Sequence, residues 1–98
     1  MTKQRPAATA TVQIENERVK VTEWRFPPGG HTGWHRHGMD YVVVPITTGA
    51  LHIFDGKQTQ AAQMTCGVSY SRQIGVEHDV INENDFEFVF VEIELKSG

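Results

Sequence analysis

The chain has 98 residues, a formal net charge of −3 and 39% hydrophobic residues, a composition typical of one folded globular domain spanning residues 1–98. The acidic balance and the scattered lysines and arginines argue against nucleic-acid binding. The sequence lacks both an apolar run of about 20 residues for a membrane span and the apolar stretch of a secretory signal, so we expect a cytoplasmic protein.

Extended segments follow one another along the first third of the chain. Residues 1–9 show no periodicity and predict a flexible N-terminal arm. Residues 11–14 and 18–26 are β-rich runs on either side of a polar hinge, and the second run alternates in the period of two that is typical of a half-exposed strand. Two prolines and two glycines at 27–30 end that strand, because proline cannot donate a hydrogen bond to a neighbour.

The remaining two thirds predict further short strands. Residues 41–44 are a continuous run of β-forming residues, which favours a strand buried on both faces. Asp55-Gly56 is a tight-turn signal that predicts a hairpin between 50–54 and 57–62. Extended stretches at 67 onward, 76–81 and 86–95 follow, with a polar turn at 82–85. Eight to ten strands and no helical periodicity predict an all-β sandwich or barrel.

Three histidines stand out as candidate metal ligands. His35 and His37 are two residues apart, and side chains at i and i+2 of a strand point to the same face. His78 lies far enough along the chain to belong to a different strand. Imidazole nitrogen binds several transition metals, so these residues predict a metal site without naming the metal.

Two glycine-framed segments around these histidines resemble the paired motifs of the cupin superfamily. In the first, Gly29 precedes His35 by five intervening residues, His37 follows, and Tyr41 and a turn glycine at 49 come next, which resembles G-x5-HxH-x(3,4)-E-x6-G with one residue more before the last glycine. The second segment runs over residues 67–82 and matches every spacing of G-x5-PxG-x2-H-x3-N, with His78 at the histidine position. The likeness extends to small bacterial cupins associated with β-alanine degradation.

The resemblance implies a small cupin barrel, a jelly-roll-like double-stranded β-helix. It implies one divalent transition metal, whether iron, zinc, nickel, manganese or cobalt, held by His35, His37 and His78. Three histidines leave open coordination positions for water, dioxygen or a substrate, which distinguishes a catalytic metal site from a closed structural one.

Two positions depart from the family motifs. Tyr41 stands where the family has glutamate, and it either binds the metal as phenolate or fills the barrel and orients a metal-bound water with its hydroxyl. Asp40 is a third option for the missing carboxylate, although strand parity turns it away from the histidines. Gln73 replaces the proline of the second motif and is either a turn residue or a hydrogen-bonding partner for water or substrate.

Other polar side chains are weaker candidates. His31 precedes the first motif histidine and is either a loop residue or a hydrogen-bond donor behind the site, and His52 is expected on the barrel face. Asp79 and its neighbour at 77 should point away from His78 as solvated carboxylates. Cys66, the single cysteine, is expected to be a small buried group, since use as a nucleophile would need a nearby base. The aromatic residues expected in the core or pocket wall are Trp24, Trp34, Phe54, Phe88 and Phe90.

The function implied by the resemblance is a metal-dependent enzyme. We expect a dioxygenase-like oxidoreductase acting on a small organic acid or dicarbonyl, with Tyr41 or Gln73 positioning the substrate. The alternative is a non-catalytic module that binds a metal or metabolite for a regulatory or helper role, and a purely structural dimer is a third reading. Small size and long terminal strands at 11–14 and 86–95 predict a homodimer, because exposed strand edges need cover.

Overall fold

Antiparallel strands build the whole of the described chain. The structure, a computed structural model, describes residues 5–96. Within that range no helix is long and apolar enough to cross a membrane. The nine strands are β1 Thr9–Glu15, β2 Val19–Phe26, β3 His35–Arg36, β4 Asp40–Pro45, β5 Gly49–Phe54, β6 Thr59–Met64, β7 Tyr70–Arg72, β8 Glu77–Ile81 and β9 Phe88–Leu95.

Two sheets face each other across one apolar core. The five-stranded sheet has the order β1-β2-β9-β4-β7, and the four-stranded sheet has the order β3-β8-β5-β6. Phe26, Leu51 and Phe88 are fully buried between them, with 0% exposure. The all-β class predicted from the strand pattern is confirmed, and the two sheets form a small jelly-roll-like barrel.

The predicted hairpin around Asp55-Gly56 is confirmed as the turn between β5 and β6. The Asp55 amide donates to the Gln58 carbonyl at 3.1 Å. The Asp55 carboxylate accepts from the amides of Lys57 and Gln58, each at 2.9 Å. Gly56 has φ of 99°, a left-handed conformation that glycine adopts without steric cost. The side-chain oxygen of aspartate and the freedom of glycine together close the turn.

Strand β4 differs from its prediction. Tyr41, Val43 and Pro45 are buried, whereas Val42 and Val44 on the other face are half-buried. The expectation of burial on both faces was therefore wrong for the outer face. β4 belongs to a two-sheet structure in which each sheet has one face toward the core, so a run of β-branched residues does not by itself require cover on the second face.

The N-terminal segment contacts the barrel through its backbone. The Ala8 amide donates to the His31 carbonyl at 2.9 Å, and the His31 amide donates to the Pro6 carbonyl at 3.0 Å. Residues 1–4 of the predicted arm lie outside the described residues. The part that is described leads directly into β1 and holds one side of the loop before β3.

Asn82, the last residue of the second motif, joins two loops inside the barrel. Its side chain is fully buried, and its amide nitrogen donates to the carbonyls of Phe86 at 2.9 Å and Pro27 at 3.2 Å. Its amide oxygen accepts from the Asn84 amide at 3.0 Å. The Asn82 carbonyl accepts from the Gly29 amide at 2.8 Å. These bonds fix the loop that begins the first motif against the turn after β8.

Cys66 was predicted to be buried, and the structure shows that it is exposed. It lies between β6 and β7, where its amide donates to the Thr48 hydroxyl at 2.9 Å. A turn residue keeps its side chain outside the core even when that side chain is apolar.

Candidate metal centre

Strand pairing brings the three histidines together. His35 on β3 is directly opposite His78 on β8 in the antiparallel register. His37 follows β3, is 5% exposed, and its amide donates to the Val76 carbonyl at 2.8 Å. Its carbonyl accepts from the Gly75 amide at 2.8 Å. Backbone bonds on both sides therefore hold His37 beside the pair.

The imidazole nitrogens converge at distances suited to a shared ion. The Nε2 atoms of His35 and His37 are 3.0 Å apart, and those of His37 and His78 are 3.1 Å apart. Two nitrogens that each lie about 2.1 Å from one ion are about 3.0 Å apart when the angle at the metal is near 90°. The donor set therefore fits a transition metal bound on one side, with coordination positions left open.

A hydrogen bond to the backbone sets the tautomer of His35. Its Nδ1 lies 2.9 Å from the Gly33 carbonyl oxygen, which can only accept, so the proton is on Nδ1 and the Nε2 lone pair is free. The Gly33 amide in turn donates to Asp79 Oδ1 at 3.0 Å. His31 Nδ1 is 3.0 and 3.1 Å from the two oxygens of the same carboxylate.

Asp79 therefore has a different position from the solvated one predicted for it. It does point away from His78, but the loop of residues 31–33 covers it, and its side chain is 17% exposed. His31 binds this carboxylate and so acts behind the site, one of the two options left open by the sequence. His31 and Asp79 together fix the loop of residues 31–33, in which the Gly33 carbonyl orients the ring of His35.

Burial keeps two of the imidazoles neutral. Burial, with the neighbouring His35 and His78, lowers the pKa of His37 to about 4. Burial, followed by the charges of His35 and Arg72, lowers the pKa of His78 to about 4 as well. At neutral pH both rings therefore hold an unprotonated nitrogen, which is the form that binds a metal.

Tyr41 contacts the cluster through its ring. It is 2% exposed, and its ring stacks on that of His37 with a centroid distance of 3.8 Å and an interplanar angle of 17°. Its buried hydroxyl has no hydrogen-bond partner among the described residues. Burial raises the pKa of the phenol above its ordinary value, which favours the protonated hydroxyl over phenolate. Asp40 is exposed and accepts from the Ile74 amide at 2.7 Å, away from the histidines.

The structure does not bring the other candidates to the cluster. Gln73 is exposed in the loop between β7 and β8 and is not one of the residues that line the cavity beside the histidines. His52 is half-buried on β5, opposite Ala61 and Ile81 in the strand register. Of the two predicted substrate-positioning residues, only Tyr41 lies at the site.

A small cavity extends from the histidines into the barrel. Its volume of about 20 Å³ is enough for one water molecule. Among its walls are the three histidines and Tyr41, and the other lining residues are Trp24, Thr32, Val43, Ile53, Tyr70, Val80, Phe90 and Glu92.

Glu92 is an acidic lining residue that the sequence analysis did not single out. It is 7% exposed, and one carboxylate oxygen lies within 4.8 Å of a ring nitrogen of His37. Burial, then the charge of Glu94, raises its pKa to about 7, while Trp24 and Lys20 oppose this shift. The alternation of Phe88 and Phe90 along β9 places residue 92 on the same inward face, so the signal was present in the sequence.

Comparisons of the sequence point to one curated relative of the same size. The beta-alanine degradation protein BauB of Pseudomonas aeruginosa is 53% identical over 92 residues, which cover 94% of this chain and 97% of that protein. No protein-family model matches the chain.

Solved structures share the fold. A cupin domain from Bordetella pertussis Tohama I is 66% identical with a TM-score of 0.96, covering 98% of this chain and 100% of that one. A cupin superfamily protein from Desulfitobacterium hafniense DCB-2 has a TM-score of 0.72 at 12% identity, covering 99% and 84% of the two chains, and this likeness concerns the fold alone. With near-complete coverage by relatives above 50% identity, the chain belongs to the cupin superfamily.

Proposed function

We propose that the chain is a metal-dependent enzyme, a dioxygenase-like oxidoreductase acting on a small organic acid or dicarbonyl. The observation that carries this proposal is the convergence of the Nε2 atoms of His35, His37 and His78, with two separations of 3.0 and 3.1 Å. The rings of His37 and His78 are neutral at pH 7, and the hydrogen bond from His35 Nδ1 to the Gly33 carbonyl leaves the His35 Nε2 lone pair free.

The three histidines would hold one divalent transition metal, whether iron, zinc, nickel, manganese or cobalt. When bound, the metal would polarise a carboxylate or carbonyl oxygen and offer open positions to substrate and dioxygen. Tyr41 keeps one face of His37 covered, and its phenol hydroxyl is free to donate to a bound group. Gln73 could reach a substrate only at the outer rim, since it is exposed.

The donor set and the relative support a small acid as the ligand. An open metal flanked by apolar and aromatic walls suits a small chelating acid, and the matched Pseudomonas protein is named for β-alanine degradation. We propose a small carboxylate ligand on these grounds, and we also propose a cytoplasmic location and a homodimer for this chain.

A non-catalytic binding module is the second candidate. The small cavity favours it, because about 20 Å³ leaves no room for an organic substrate beneath the histidines in this conformation. Such a module would capture the metal or a metabolite at the cavity mouth for a regulatory or helper role.

Oxygen consumption separates the two functions. Protein purified without a histidine tag is loaded anaerobically with ferrous iron and mixed with a panel of two- to four-carbon hydroxy, oxo and amino acids and dicarbonyls. The enzyme proposal predicts dioxygen uptake with at least one compound in wild type and in His52→Ala, and none in His37→Ala. Tight binding of a compound by calorimetry without any dioxygen uptake would contradict the oxidoreductase and favour the binding module.

A further inference from the structure

The cavity beside the metal cluster is lined by three buried polar groups besides the histidines. Trp24 Nε1 and the Tyr41 hydroxyl are both fully buried and have no hydrogen-bond partner within residues 5–96. Glu92 is 7% exposed and also lines the cavity. A buried donor without an acceptor costs about 1–3 kcal/mol, so two such donors beside a buried carboxyl group around one cavity indicate that something polar occupies it.

The strand register shows why these groups face the same space. Thr22 on β2 pairs with Glu92 on β9, and Trp24 pairs with Phe90, so Trp24 and Glu92 are diagonal neighbours on one sheet face. Glu92 pairs with Val43 on β4, next to Tyr41 on the same face. The indole N–H lowers the pKa of the Glu92 carboxyl, yet Nε1 makes no hydrogen bond of good geometry with any of the described residues. Both side chains line the cavity.

A small group that both accepts and donates a hydrogen bond satisfies this combination when Glu92 is ionised, above its pKa of about 7. The Trp24 indole can only donate, and the ionised Glu92 carboxylate can only accept. An ammonium group has no lone pair for the indole, and a carboxylate has no proton for Glu92. A hydroxyl group does both, and the Tyr41 hydroxyl can donate to it or accept from it. The volume of about 20 Å³ admits one hydroxyl oxygen.

We propose that Trp24, Tyr41 and Glu92 form a hydroxyl-binding subsite in the cavity beside the histidines, in which Trp24 Nε1 donates a hydrogen bond to the hydroxyl oxygen and the Glu92 carboxylate accepts a hydrogen bond from the hydroxyl. Water fills the subsite in the free protein, and the hydroxyl of a metal-bound hydroxy acid displaces it. The binding of a ligand hydroxyl, the ligand part of this inference, rests on the proposed function. The binding of water in the free protein, the water part, does not.

A crystal structure of the zinc-loaded wild-type protein tests the water part. The subsite predicts one ordered oxygen within about 3.2 Å of both Trp24 Nε1 and a Glu92 carboxylate oxygen. An empty cavity, or a direct hydrogen bond between the indole and the carboxylate, would overturn the subsite whatever the protein does with small acids.

Calorimetry on the zinc-loaded protein tests the ligand part with three matched probes, propanoate, 3-hydroxypropanoate and 3-aminopropanoate. We expect 3-hydroxypropanoate to bind about tenfold more tightly than the other two, the size of one good hydrogen bond to a charged group. Trp24→Phe should remove this preference while leaving propanoate binding and zinc content unchanged. Trp34→Phe is the matched control, because Trp34 is 51% exposed and does not line the cavity.

The outcomes separate this inference from the proposed function. Equal binding of all three acids by wild type would overturn hydroxyl recognition and leave the metal-held acid standing. Failure of every acid to bind would overturn the proposed substrate class and with it the ligand part, while the water in the crystal structure still decides the subsite. A preference that survives Trp24→Phe would show that the hydroxyl is recognised elsewhere.

Discussion

The orientation of the His35 imidazole ring in the three-histidine cluster is fixed by hydrogen bonds to residues behind it. The Gly33 carbonyl fixes the His35 ring, and Asp79 fixes Gly33, so a carboxylate two contacts away helps to aim a ligand nitrogen. Such outer contacts commonly change metal affinity by 10- to 100-fold when removed. The geometry of the cluster is therefore a property of the loop at 31–33 as much as of the histidines themselves.

Acid should destabilise the metal-free protein as the histidines titrate. The pKa of His37 and of His78 is about 4 in the folded state against an ordinary value near 6.5, so the unfolded chain binds more protons between these values. Their contribution to stability is complete above pH 6.5 and is lost as the pH falls toward 4. Urea unfolding of chelator-treated protein at pH 7 and pH 4.5 measures this.

A double variant supplies the control for the acid effect. In His37→Gln/His78→Gln the free energy of unfolding should fall less between pH 7 and pH 4.5 than in wild type. An identical pH dependence in the two proteins would show that these rings are not the groups that titrate.

Tyr41→Phe distinguishes a hydroxyl that orders a bound group from a phenolate ligand. The ring stays stacked on His37 and only the hydroxyl is lost, so we expect metal content to stay the same while ligand affinity or turnover falls. Elemental analysis and calorimetry measure the two effects. A ferric charge-transfer band in wild type that disappears in Tyr41→Phe, together with weaker metal binding, would instead support the phenolate.

At the level of strands and loops, local signals predicted most of what the structure shows. The alternation with a period of two predicted strand β2, and Asp55-Gly56 predicted the turn between β5 and β6. The two glycine-framed motifs predicted that His35, His37 and His78 lie together. Those features depend on neighbours in the sequence. The alternation along β9 predicts only that Glu92 faces inward. The neighbours of Glu92 and the cover over Asp79 come from residues more than 40 positions away in the chain, so only the folded structure reveals them.

The turn after β8 should depend strongly on Asn82. Its buried side chain makes three or more hydrogen bonds that tie residue 27 to residues 84 and 86. Asn82→Ala leaves those buried groups without partners, and we expect a loss of about 3 kcal/mol in the free energy of unfolding, measured with urea. Asn16→Ala, in an exposed turn where Asn16 accepts from two amides, should cost about 1 kcal/mol or less. Equal losses would contradict the role given to Asn82.

For the molecule as a whole, the exposed edge of the larger sheet predicts a homodimer. Every residue of β1 is exposed, and Val12 and Ile14 are 49% and 51% exposed on this edge strand. An apolar edge with unpaired backbone groups favours association. We expect a dimer by light scattering at micromolar concentration, and a monomer for Ile14→Glu.

Val68→Glu is the matched control for that variant, because Val68 is 61% exposed but lies between β6 and β7, and β7 is at the opposite edge of the larger sheet from β1. It should remain a dimer. A wild-type protein that stays monomeric on concentration would contradict the predicted assembly.

The centre of this interpretation is one metal on three imidazoles, and X-ray absorption spectroscopy of the zinc-loaded, untagged protein tests it most directly. The predicted spectrum shows nitrogen and oxygen ligands near 2.1 Å with the multiple scattering of three imidazole rings. In His78→Ala we expect two imidazole rings and zinc binding that is at least tenfold weaker. A sulfur ligand from Cys66, or fewer than three imidazoles in the wild-type protein, would contradict the three-histidine site.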